Sequence, residues 1–194
     1  MPASIKDSLQ LVQSLSPFKR QISLDMHEEG QGFSGLIDGV LDSLEVEQWL
    51  LQDMQELALD FCSLLGHGHL SATLALLDRT MCPRWHADHV TMRLLCTYFG
   101  AGTEFVENRY ADRRPLQRML FQDTQGYGIR DESAVQSASP GDVLYLKGHA
   151  FPGNAGFGAV HRSPAASVEA PRLVFTLDEA MPLSAEECHC GKLH

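Results

Sequence analysis

The sequence predicts an α+β domain, mainly β, built as a barrel or sandwich with N-terminal helices packed outside. Three observations predict it. Residues 42–65 carry one long amphipathic helical pattern. From residue 70 onward, short runs of strand formers alternate with Gly/Pro turns. Within those runs, His86-x-Asp88 is answered much later by His161, and three such side chains meet only if neighbouring strands bring them together.

Composition narrows the class. At 194 residues the chain is most simply one domain, long enough to bury a core. Apolar residues make up 44% and charged residues 21%, as in a folded globular protein rather than a disordered one. The net charge is −10 with no basic stripe to offset it, which argues against a nucleic-acid partner. No apolar run reaches membrane-spanning length, and no signal-peptide pattern opens the chain. Five irregularly spaced cysteines do not make a disulfide framework. The expected compartment is the cytoplasm.

The elements follow in order. Ile5 to Leu15 reads as a short helix and Phe18 to Leu24 as an edge strand, before a Gly-rich loop. The long helix runs from Asp42 to Leu65, with Asp42 and Glu45 as a capping box and Gly66 as its stop. Its expected apolar stripe is Val46, Leu50, Met54, Leu57, Phe61 and Leu65. Gly66-His67-Gly68-His69 offers two imidazoles but no third ligand, so it reads as a solvated loop. Leu70 to Leu77 fits a buried strand or a short helix equally. Thr91 to Phe99 is a strand ending at Gly100 and Gly102, with Thr103 to Val106 as the start of its return strand. Residues 107–135, with scattered arginines, read as a solvated excursion, in the place where substrate lids lie. Val143 to Lys147 and Arg172 to Leu177 are strands, separated by a Gly-rich loop that ends at His161. The chain divides into a variable segment over 1–40, one domain with its leading helix over 41–180, and a tail over 181–194.

The chemistry gathers at His86, Asp88 and His161. Residues two apart on a strand face the same way, so His86 and Asp88 converge. With His161 they make a 2-His-1-carboxylate set, which holds one face of a divalent ion and leaves the other open. Each neutral imidazole then needs an acceptor for its other nitrogen. Arg172, on a hairpin beside the His161 strand, can grip a carboxylate bidentately. A cosubstrate reaching from the ion to Arg172 would be a short dicarboxylate. His89 alternates away from the pair. His149 is the rival third ligand, and Cys82 reads as either a thiol beside the metal or plain packing.

His-x-Asp, a distal His, an Arg about ten residues later and a final alternating strand resemble the Fe(II)/2-oxoglutarate-dependent oxygenase superfamily. Tyr98 followed by Gly102-Thr103-Glu104-Phe105 is similar to a pattern of its prolyl-hydroxylase-like branch. The resemblance implies a double-stranded β-helix (jelly-roll, cupin-like), Fe(II) held by His86, Asp88 and His161, and 2-oxoglutarate anchored by Arg172 and contacted by Tyr98. More closely, residues 40–180 resemble the bacterial family DUF 1826. The stretches that carry this are Asp78 to Asp88, Leu94 to Tyr98, and Leu146-Lys147-Gly148 through Phe151-Pro152-Gly153-Asn154 to Pro164. That resemblance implies a part in metal limitation, in company with a zinc-homeostasis partner protein.

The tail is a separate candidate. Cys188, His189, Cys190 and His194 place four soft or borderline donors in seven residues, an accessory site suited to Zn(II) or an unstructured end. Three functional expectations follow. The first is an Fe(II)/2-oxoglutarate-dependent dioxygenase hydroxylating a substrate that the sequence does not name. The second is a non-catalytic metal-binding protein of zinc homeostasis, with Zn(II) in place of Fe(II). The third is a cupin-type metalloenzyme that works without 2-oxoglutarate.

Overall fold

The computed structural model describes residues 1–28, 30–41, 43–114 and 128–180. The N-terminal segment forms helix α1 (Ala3–Ser8), a 3-10 turn (Leu9–Ser14), strand β1 (Phe18–Asp25) and the short helix α2 (Ser34–Ile37). Ile5, Leu9 and Val12 are buried, so this segment is part of the core.

The long helix is α3 (Leu44–Leu65). Its cap is Ser43, whose Oγ accepts the Val46 N–H at 3.4 Å; the expected cap, Asp42, lies outside the described residues. Gly66 ends the helix in the left-handed conformation (φ 81°), donating its N–H to Cys62 O. The buried stripe is Val46, Leu50, Met54, Ala58 and Phe61. Leu57 and Leu65, expected in that stripe, are only half-buried. The stripe steps by four residues from Val46 to Ala58, and the small Ala58 lets the helix lie close to the sheet beneath it.

The remaining strands are β2 (His69–Leu77), β3 (Met92–Phe99), β4 (Glu104–Val106), β5 (Ala111–Asp112), β6 (Gly128–Ile129), β7 (Gln136–Ser137), β8 (Val143–Lys147), β9 (Val160–Arg162) and β10 (Arg172–Glu179). They form a five-stranded antiparallel sheet ordered β1-β2-β10-β3-β8 and a three-stranded sheet ordered β7-β4-β9. An isolated bridge between His86 and His161 adds a further position beside β9. From β2 onward the chain alternates between the layers: β2 in the large sheet, His86 in the small, β3 large, β4 and β7 small, β8 large, β9 small, β10 large. That order makes the fold a double-stranded β-helix, and β1 extends its large sheet by one edge strand.

Strand alternation divides the large sheet into two faces. Leu70, Ala72, Leu74 and Leu76 of β2, with Leu94, Cys96 and Tyr98 of β3 and Leu173, Phe175 and Leu177 of β10, pack against the helices as the main core. This parity settles residues 70–77 as a strand. The opposite face, carrying Arg93, Thr97 and Arg172, turns toward the small sheet.

Two connections differ from expectation. Thr103 to Val106 does not fold back on β3; β4 pairs instead with β9 in the other sheet, through Glu104↔Arg162, Phe105↔His161 and Val106↔Val160. Gly100 (φ 82°) and Gly102 permit the crossing: a Cβ on Gly102 would lie 1.9 Å from Ala138 O. Arg172 also does not arrive on a hairpin beside the His161 strand. β9 and β10 belong to opposite sheets, so Arg172 approaches from across the fold.

Tyr98 sits on the helix-facing side. Its hydroxyl donates to Asp53 Oδ2 on α3 at 2.7 Å, and its ring packs edge-on to Trp49 at 5.9 Å. Tyr98→Phe is expected to lower stability by about 1–2 kcal/mol, because the half-buried Asp53 carboxylate loses its donor. Chemical denaturation of the variant checks this.

Candidate metal centre

The centre begins with backbone geometry. His86 N–H donates to His161 O and His161 N–H donates to His86 O, both at 2.9 Å. Such a reciprocal antiparallel pair sends both side chains to one face. The two rings lie 4.4 Å apart, centroid to centroid. Asp88, two residues along an extended segment, joins that face: its Oδ1 lies 3.7 Å from His86 Nε2, and its Oδ2 lies 3.3 Å from His161 Nε2. The three potential ligand atoms all fall within 4.8 Å of one another.

The tautomers follow from the hydrogen bonds. His86 Nδ1 is 2.9 Å from Arg84 O, and His161 Nδ1 is 3.0 Å from Ala159 O. A carbonyl only accepts, so each Nδ1 carries a proton, and in its neutral form each ring presents an Nε2 lone pair toward Asp88. Two lone pairs and a carboxylate converging in this way repel unless a cation lies among them. Neighbouring donors on an octahedral ion with bonds of about 2.1 Å stand about 3 Å apart, and the carboxylate–imidazole separations here are 3.3 and 3.7 Å, within a small side-chain adjustment of that. The residues therefore fit a divalent ion.

Electrostatics favour the ligand-competent forms. Burial, and then the neighbouring His161, hold His86 below the ordinary imidazole range. Burial acts against the Asp88 charge, but His161 and Arg93 outweigh it and bring the carboxyl down to about 2. Arg93 donates from Nη1 to Asp88 Oδ2 at 2.9 Å, while its Nε and Nη2 reach Asp178 at 2.7 and 2.9 Å.

Asp88 is also held by its backbone. Its carbonyl accepts the His149 N–H at 2.9 Å, and Gly148 packs so closely that a Cβ there would lie 2.0 Å from Val90 O. His149 thus supports the site through its main chain. Its ring does not join the cluster: Nδ1 accepts the Gly158 N–H at 3.3 Å, and the ring lies 6.4 Å from that of His89. Cys82 is exposed at the cavity rim, its carbonyl accepting the Ser163 N–H. His67 meets Glu179, and His69 meets Asp25. Among the described residues, only His86, Asp88 and His161 cluster as metal ligands. Cys188, His189, Cys190 and His194 lie outside the described residues.

A cavity of about 250 Å³ connects this cluster to Arg172. Arg172 is 2% exposed. Its Nε donates to Ala101 O at 2.6 Å, and its Nη2 lies 3.3 Å from Thr97 Oγ1 and 3.2 Å from Thr103 Oγ1. No carboxylate lies within ion-pair distance of it among the described residues. Burial draws its pKa down to about 10, with Glu104 pulling the other way. Gly100 makes room for it, since a Cβ there would come within 2.2 Å of Pro171 O and 3.1 Å of Arg172 Cα. Tyr98, expected beside the cosubstrate, does not line the cavity and points into the core on the opposite face of β3. The threonines at 97 and 103 hold the position by Arg172 instead.

The sequence reading missed Arg93, Thr97, Thr103 and Gly148. Arg93 had a visible signal, as a lone charge in an apolar strand at the same parity as Leu95 and Thr97.

A double-stranded β-helix carrying a His-Asp-His cluster of metal-ligand geometry defines the class of protein. The chain belongs to the family described as protein of unknown function DUF1826, whose model matches residues 2–178. No curated protein matches the sequence. Among solved structures, the chain is similar to the Fe(II)/(alpha)ketoglutarate-dependent dioxygenase TqaL, at 15% identity and TM-score 0.46, over 96% of this chain and 77% of that one. It is similar to a Pseudomonas putida prolyl-4-hydroxylase at 12% identity and TM-score 0.39, over 92% and 87%. It is similar to a Bacteroides fragilis cupin protein at 12% identity and TM-score 0.31, over 64% and 78%. The strand order, rather than these distant likenesses, identifies the fold. No helix among the described residues is long and apolar enough to cross a membrane.

Gly148→Ala is expected to push the Asp88 segment out of place and to weaken Co(II) binding by at least about tenfold. Titration of Co(II) followed by its visible absorption checks this.

Proposed function

We propose that this protein is an Fe(II)/2-oxoglutarate-dependent oxygenase that hydroxylates a substrate entering the cavity beside the His-Asp-His cluster. The observation that carries the reading is Arg172, a buried guanidinium with no carboxylate partner among the described residues, in one cavity with a convergent His-Asp-His cluster. A cation that deep is costly unless an anion meets it.

His86 Nε2, His161 Nε2 and Asp88 would hold the iron. Arg172 would take the distal carboxylate of 2-oxoglutarate, with the Thr97 and Thr103 hydroxyls fixing the guanidinium plane. When bound, Fe(II) and 2-oxoglutarate supply O2 activation, one oxygen atom going to succinate as CO2 leaves and the other to the substrate. The chain's own groups bind and orient. The two carbonyls on Nδ1 keep both imidazoles in the ligating tautomer. Lys19 and Gln21 of β1 line the cavity beyond the cluster, where the substrate would enter.

The rival reading is a zinc-homeostasis protein. His, His and carboxylate with an open position is also a zinc donor set, and Zn(II) outcompetes Fe(II) at such sites. Selectivity separates the two: the oxygenase needs Fe(II) and binds 2-oxoglutarate, whereas the zinc protein ignores the cosubstrate.

Anaerobic calorimetric titration of 2-oxoglutarate into Fe(II)-loaded protein tests the proposal. Saturable binding is expected, weakened about 30-fold or more in Arg172→Ala while iron content holds. His161→Ala is expected to lose stoichiometric Fe(II). No 2-oxoglutarate binding by iron-loaded protein, or equal binding by Arg172→Ala, would sink the oxygenase reading and favour the zinc one.

A further inference from the structure

We infer that Arg93 selects which oxygen of Asp88 a bound ion receives, and that Asp178 holds Arg93 to that task. The inference rests on reading His86, Asp88 and His161 as a metal centre. Arg93 and Asp178 face each other directly across β3 and β10. Nε and Nη2 of Arg93 meet the two carboxylate oxygens of Asp178 as a parallel fork, at 2.7 and 2.9 Å. A fork of this kind fixes the guanidinium plane. The third edge, Nη1, is then aimed at Asp88 Oδ2, 2.9 Å away. Each oxygen faces one imidazole, Oδ1 at 3.7 Å from His86 Nε2 and Oδ2 at 3.3 Å from His161 Nε2, so the carboxylate is placed to chelate, and the Arg93 hydrogen bond on Oδ2 is what sets the two oxygens apart.

This arrangement controls coordination number. A carboxylate that gives one oxygen to an octahedral ion leaves three positions beside two imidazoles; one that gives both leaves only two. With Oδ2 held in a charge-assisted hydrogen bond, Asp88 gives Oδ1 alone and the third position stays open. The pairing also removes an electrostatic conflict. A free guanidinium this close would repel a divalent ion, but Asp178 balances the Arg93 charge. Arg93 is therefore a positioning residue, and Asp178 acts through it without touching the ligand set.

Mn(II) and water-proton relaxation test this without turnover. The wild type is expected to show the relaxivity of an ion with three exchangeable waters. In Arg93→Met the carboxylate is free to chelate, and relaxivity per bound ion should fall by about a third with Mn(II) held at least as tightly. Asp178→Asn should move the same way by a smaller amount, and it decides the matter if Arg93→Met does not fold by circular dichroism. Unchanged relaxivity in folded, Mn(II)-loaded variants would overturn the inference. So would loss of Mn(II) from a folded Arg93→Met, which would make Arg93 a holder of the whole carboxylate rather than a selector of its oxygen. A wild type that binds no Mn(II) would overturn the metal-centre reading itself, a failure distinct from both.

Discussion

Two backbone hydrogen bonds, exchanged between His86 and His161, tie together segments that lie far apart in the chain. They bring both imidazoles to one face without any side-chain interaction. The same pair closes the small sheet on the side where the His86 segment has no strand neighbour before it. Because the bonds are main-chain, their register does not depend on what the side chains hold. A slip of one residue would send either imidazole to the opposite face. The tautomers are settled by the same local geometry, each Nδ1 resting on the carbonyl two residues earlier. Preorganisation of this kind costs little at binding, since both rings are already aimed.

The far end of the cavity is built on a different principle. Arg172 is placed by close approach rather than by pairing: Gly100 lets the two strands near contact distance, and the carbonyl of Ala101 takes Nε. β10 shifts register against β3 between Leu173 and Val174, next to this point, and such irregularities re-aim side chains beside functional sites. The guanidinium is thereby solvated by a carbonyl and two hydroxyls, with no carboxylate in ion-pair distance among the described residues.

Much of this was legible in residue order. His86-x-Asp88 required a strand to make sense, and His161 and Arg172 came in the order that one geometry needs. The long helix was visible from its spacing and its Gly66 stop. What the order did not reveal was sheet membership. β9 and β10 are close in the chain yet belong to opposite layers, and β4 leaves β3 for the other sheet; local propensity is the same for a strand in either layer. Tyr98 failed for a related reason. It falls one residue from Thr97, and alternation turns it to the helices while Thr97 turns to Arg172. Arg93 was readable as a charge inside an apolar run, but its partners lie on other segments and no local pattern names them.

The large sheet separates two jobs by parity. Its helix-facing residues, Leu74, Leu94, Cys96, Tyr98 and Phe175 among them, form a dense apolar layer under α3. Its cavity-facing residues include Arg93, Arg172 and Asp178, which contribute polar groups where a core would place aliphatic ones. Burying such groups is unfavourable, and the Arg93–Asp178 fork and the threonines on Arg172 only partly offset it. The surplus must come from the other face of the same strands. Damage to the helix-facing layer should therefore reach the site through the strand backbone, whereas substitutions confined to the cavity face can change its chemistry and leave the fold standing.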